Sequence, residues 1–74
     1  MSIYKECVIS VKTAQNLVVV KTIKGTAGMV SSLIDQMALS QVMGCTYGDD
    51  TVMVISADTD DATFVKDKLS SLLD

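Results

Sequence analysis

Histidine, arginine, proline and tryptophan are all missing from this chain of 74 residues. Without histidine a His-based catalytic triad and an ordinary zinc site are excluded. Two cysteines, Cys7 and Cys45, lack metal-ligand spacing and read as small apolar strand residues. Without arginine, all six basic residues are lysines, and nine acidic ones leave a net charge of −3. That balance argues against a chain that grips nucleic acid by itself. It suits a cationic small ligand, and equally a surface that is acidic only for solubility. Neither a signal peptide nor a membrane-spanning run is visible, which points to a reducing, cytoplasmic setting. The length allows one domain, residues 1–74. A domain this small buries only about 60% of its unfolded surface, so its core is marginal and association is a common remedy.

What is present is a clear alternation of strand and helix patterns. Residues 6–13 alternate, with Cys7, Ile9 and Val11 on one face and Val8, Ser10 and Lys12 on the other. After Ala14-Gln15-Asn16 a second strand covers residues 17–23, and the short gap makes an antiparallel hairpin. Thr26 is the expected N-cap of a helix whose apolar face is Met29, Val30, Leu33, Ile34 and Met37. Asp35 lies near that helix's C-terminus, against the unfavourable end of the macrodipole. Strands over residues 42–47 and 51–57 follow, and then a helix capped by Asp58 or Thr59. Its buried stripe is Ala62, Val65, Leu69, Leu72 and Leu73.

This order, ββαββα, predicts an α+β two-layer sandwich: a four-stranded antiparallel sheet with two helices on one face. Nothing is left to cover the other face. Yet residues 17–20 and 52–55 are apolar without a break, so both faces of these strands avoid water. Self-association is the economical answer.

The stretch with most chemistry is Gly44-Cys45-Thr46-Tyr47-Gly48-Asp49-Asp50-Thr51. Gly48, Asp49 and Asp50 form a tight turn whose positive φ angles those residue types tolerate. One aspartate suffices for such a turn, and two adjacent like charges repel. Tyr47-Gly48-Asp49-Asp50 is also similar to the magnesium-holding hairpin of RNA-templated polymerases. The chain is too short for such an enzyme and lacks a basic template channel, so it is read as non-enzymatic and without a metal.

A broader resemblance spans residues 8–73. Leu17-Val18-Val19-Val20-Lys21-Thr22, Gly25-Thr26-Ala27, Leu33-Ile34-Asp35, Gly44 and Gly48-Asp49-Asp50-Thr51 occur in order, followed by the final helix. The pattern resembles the C-terminal domain of the bacterial arginine repressor. That resemblance implies a sensing and oligomerisation domain of a transcriptional regulator of arginine metabolism. It implies homotrimers stacked into a homohexamer, with L-arginine as corepressor between them. Operator DNA would be read by an N-terminal winged helix-turn-helix absent from this chain, and no membrane partner is implied.

The residues implied at the arginine site are Gly28, Asp35, Cys45, Tyr47, Asp49 and Asp50. Asp49 and Asp50 would meet the guanidinium, since carboxylates match its planar fork of donors. Asp35 would meet the α-amino group, and the backbone at Cys45 and Tyr47 the remaining polar atoms. Two positions depart from the family pattern. Gly28 stands where many members have Gln, His or Asn, and Cys45 where many have Thr. A side chain at position 28 would add a hydrogen bond to ligand, so glutamine there is expected to tighten binding. The alternative reading is an assembly-only domain that has lost arginine binding.

Overall fold

Alternation in the two central strands decides the layering. The computed structural model describes residues 3–74. Its elements are α1 (Ile3–Cys7), β1 (Val8–Ala14), β2 (Leu17–Thr22), α2 (Ala27–Gln36), β3 (Gly44–Tyr47), β4 (Thr51–Ile55) and α3 (Thr59–Ser71). The strands form one antiparallel sheet in the order β1-β2-β4-β3. Val18, Val20 and Thr22 of β2, with Val52 and Val54 of β4 and Ser56 just beyond it, are buried at 2% exposure or less. They point at α2 and α3, which cover that face with Val30, Ile34, Ala62, Val65 and Leu69. Each fully buried Val, Ile or Leu stabilises the fold by about 1.5–3 kcal/mol relative to exposure.

The opposite face carries Ala14, Leu17, Val19, Met53 and Ile55, in register across β1, β2 and β4. All five are partly or fully exposed, and no element of the described chain lies over them. The expected bare apolar face is therefore present, and the sandwich architecture is as read from the pattern.

Several local expectations are corrected. A short helix, α1, precedes the first strand, and Cys7 ends it instead of lying in a strand. Tyr4 of α1 is 4% exposed, and its hydroxyl donates to the Leu69 carbonyl at 2.9 Å. Register in β1 shifts between Val8 and Ser10, so Ile9 is an extra residue. The bulge puts Val8 and Val11 on the same, helix-facing side and leaves Ile9 65% exposed. Strict alternation had paired Ile9 with Val11.

Helix α2 buries Ala27, Val30, Ser31 and Ile34, an i, i+3, i+4, i+7 set. Met29 is instead exposed, because it lies off the i, i+3, i+4, i+7 stripe that faces the sheet. Thr26 stands at the N-cap but its hydroxyl donates back to the Ile23 carbonyl at 2.7 Å, so it does not cap by its side chain. Asp58 does cap α3, accepting from the Asp61 N–H at 2.8 Å. Leu72, placed in the buried stripe by spacing, is half-exposed as the C-cap of α3. Strands β3 and β4 are each two residues shorter than the apolar runs that announced them.

Candidate functional site

Helix α2 crosses the inner side of β3 in the opposite direction. Gly28 in its first turn faces Tyr47, and Asp35 in its last turn meets Cys45. Strand β3 is an edge strand. The β3–β4 hairpin closes with the Gly48 N–H donating to the Thr51 carbonyl at 2.9 Å. Alternation in an antiparallel pair then turns the N–H and C=O groups of Cys45 and Tyr47 away from β4, toward the free edge. Those are the backbone groups expected to serve a ligand.

The turn itself is held by the neighbouring loop. Thr22 N–H donates to the Asp50 carbonyl at 2.8 Å, and Gly25 N–H to the Asp49 carbonyl at 2.9 Å. Gly25 has φ of +84°, a conformation that L side chains rarely adopt, so glycine suits the loop that leads from this bond into α2. Neither Gly48, Asp49 nor Asp50 has positive φ, contrary to the reason first given for their presence in the turn. The aspartates are therefore not demanded by backbone conformation.

The two carboxylates differ in their surroundings. Asp50 Oδ2 lies 3.3 Å from Lys21 Nζ, and Asp50 Oδ1 accepts from the Thr51 hydroxyl at 2.9 Å. Lys21 Nζ donates in turn to Thr51 Oγ1 at 2.9 Å, closing a three-membered ring. The Thr51 hydroxyl, then Lys21 by hydrogen bond and charge, hold the Asp50 carboxyl below the usual aspartate value. Asp49 is exposed, and its carboxylate has no hydrogen bond or ion pair among the described residues. Like-charge repulsion within the turn is thus partly relieved inside the protomer. Lys21 and Thr51 are neighbours only through the β2–β4 register, and sequence reasoning missed their part in the site for that reason.

At the other end, the Cys45 thiol lies close enough to the Asp35 carboxylate to feel its charge. Burial first, then the Asp35 charge and hydrogen bond, push the thiol's pKa up to about 11. Cys45 therefore sits in the field of Asp35 and is not only an apolar strand residue. Gly28 also gains a reason. An ideal Cβ built there would lie 3.0 Å from Tyr47 Cε2 and 3.2 Å from Cζ, so the tyrosine ring occupies the space a side chain would need. Of the six residues expected at the site, Asp35 lies near Cys45 and Gly28 against Tyr47, while Asp49 and Asp50 follow Tyr47 in the hairpin turn.

Among the described residues no group of three or more His, Cys, Asp or Glu is placed to hold a metal ion. None of their helices is long and apolar enough to cross a membrane.

Comparison with known proteins shows the family. Residues 4–71 match the family described as the arginine repressor, C-terminal domain. The arginine repressor of Thermotoga petrophila is 39% identical over 70 residues, which is 95% of this chain and 46% of that protein. That of an Exiguobacterium strain is 37% identical over 71 residues, 96% of this chain and 48% of its own length. That of Solibacter usitatus is 46% identical over 61 residues, 82% of this chain and 42% of its own. The chain therefore spans about half the length of the curated relatives it matches. An arginine repressor is a regulator of transcription and not an enzyme. With nearly the whole chain matched and the bare-faced sandwich in place, this chain belongs to the family of arginine repressor C-terminal domains.

Proposed function

We propose that this domain senses L-arginine and assembles its parent regulator through the bare face of its sheet. The observation that carries the reading is Asp49: an exposed carboxylate with no partner among the described residues, beside a second carboxylate and an open strand edge. A guanidinium offers donors in a planar fork to such acceptors. Asp35, near Cys45, receives the α-amino group. The outward backbone of Cys45 and Tyr47 completes the set.

Assembly follows from the face formed by Leu17, Val19, Met53 and Ile55. Three copies bury it, and two trimers meet where the turn aspartates project, with arginine between them as corepressor. Ligand that binds only the hexamer stabilises it by mass action. The parent protein acts in the cytoplasm on genes of arginine metabolism. It reaches operator DNA through the winged helix-turn-helix that the resemblance implies elsewhere in it.

Titration calorimetry with L-arginine, joined to light scattering with and without it, tests the proposal. A trimer at micromolar concentration and a hexamer favoured by arginine are expected. Asp49→Asn weakens binding, since breaking a desolvated charge pair costs about 2–5 kcal/mol. A monomer at every concentration sinks the assembly reading.

A second reading, assembly without arginine, is favoured by Gly28, which offers no side chain, and by Lys21, which already pairs with Asp50. An absence of heat at millimolar arginine, with the trimer intact, selects it.

A further inference from the structure

Tyr47 is large, aromatic and 59% exposed, yet its ring is seated closely on the first turn of α2. An ideal Cβ at Gly28 meets Cε2, Cζ and the hydroxyl oxygen of that ring at 3.0, 3.2 and 3.4 Å. The other three glycines meet nothing within 4 Å, so this contact is particular to the pair. Tyr47 side-chain direction is fixed by its pairing with Val52, which points it to the helix side of the sheet edge. The hydroxyl end of the ring rests on the first turn of α2, and the remainder faces solvent at the sheet edge, one residue before the turn.

We infer that Tyr47 is a specificity-determining residue of this site: its ring, seated on Gly28, is a platform on which a planar guanidinium stacks while the turn aspartates bind the cation's edge. The inference rests on the arginine-sensing reading and adds a side chain that reading used only for its backbone. An aromatic face attracts a cation through its quadrupole. A guanidinium is flat and weakly hydrated, so it stacks on a ring and still presents its donors sideways; a lysine ammonium is compact and strongly hydrated and gains less. Glycine at position 28 is then the partner that lets the ring seat against the helix, not a lost ligand contact. Glutamine at 28 would displace the ring before it reached any ligand.

The test is calorimetric titration of wild type, Tyr47→Leu, Tyr47→Phe, Gly28→Ala and the Gly28→Ala/Tyr47→Leu double variant, each with L-arginine and with L-lysine. Exposure of Tyr47 makes these variants safe for folding, and melting curves check it. Tyr47→Leu is expected to weaken arginine binding by about three- to thirtyfold, the range of a cation–π contact. The preference for arginine over lysine should fall with it, and Tyr47→Phe should rescue both. Gly28→Ala should cost affinity when Tyr47 is present and far less in the leucine background, because the two changes disturb one contact. Wild-type binding that Tyr47→Leu leaves unaltered, or a Gly28→Ala loss equal in both backgrounds, overturns this inference alone. Failure of wild type to bind arginine overturns the sensing proposal, and this inference falls with it.

Discussion

Removing one oxygen atom at Tyr4 should unfasten the end of the last helix. The Leu69 carbonyl lies in the final turn of α3, where helix carbonyls run out of N–H partners. The Leu73 N–H, four residues on, bonds to the Ser70 carbonyl instead, at 3.0 Å. Tyr4 Oη supplies the missing donor at 2.9 Å from 65 residues away. Leu69 itself is 0% exposed, so water has poor access to its carbonyl once the hydroxyl is gone. A net hydrogen bond contributes about 0.5–1.5 kcal/mol, and a buried group left unsatisfied costs about 1–3 kcal/mol. Tyr4→Phe keeps the ring in the core, so about 1–2 kcal/mol of stability should be lost. In a domain of this size that lowers Tm by about 4–8 °C per kcal/mol.

Urea melts at a fixed protomer concentration measure the loss, since oligomerisation links stability to concentration. A second signature comes from pH. Burial pushes the Tyr4 hydroxyl from 10.0 up to about 12. The folded state thus keeps a proton that the unfolded chain releases. This contribution is complete below pH 10 and is lost as pH rises through about 12. Wild type should therefore lose its advantage over Tyr4→Phe across that window. Equal stability of the two proteins at neutral pH would refute the capping role.

Three further outcomes follow from the same geometry. Ala38 has φ of +52° directly after the α2 C-cap Met37, where glycine avoids the Cβ clash; Ala38→Gly should stabilise the fold by about 0.5–1 kcal/mol in urea melts. In a Cys7→Ser background, Cys45 should react with iodoacetamide at pH 8 about a hundredfold more slowly than an ordinary thiol, and Asp35→Asn should speed it, as read by mass spectrometry. The Asp50 carboxyl carbon should titrate below 3.8 by NMR and move upward in Lys21→Met. Because the folded value is depressed, the stability Asp50 contributes is present above the ordinary value and lost as pH falls through the lower one, and a midpoint unmoved by the lysine change would remove Lys21 from the ring.

Much of the architecture was legible in one dimension because the main signals are local. Residues 17–20 and 52–55 announced two central strands and a second apolar face by lacking polar residues. Asp58 announced the cap of α3 by its place before an apolar stripe. The proposed site residues were picked out through a motif, and the structure puts Gly28 against Tyr47 and Asp35 near Cys45. Their partners were not legible. Lys21 and Thr51 reach Asp50 through strand register, the Cys45 thiol reaches Asp35 through helix packing, and Tyr47 reaches Gly28 across the same interface.

The Ile9 bulge shows the limit from the other side. Its alternation looked regular, and only pairing with β2 revealed the extra residue that turns Val8 toward the helices. Periodicity and turn chemistry act between residues close in the chain, so the sequence by itself determined every element after α1, their order and the uncovered face. Which carboxylate is already paired, which thiol stays protonated and why position 28 has no side chain depend on contacts between distant segments. Those contacts exist only after the sheet has set its register and the helices have packed, and the tertiary structure alone decided them.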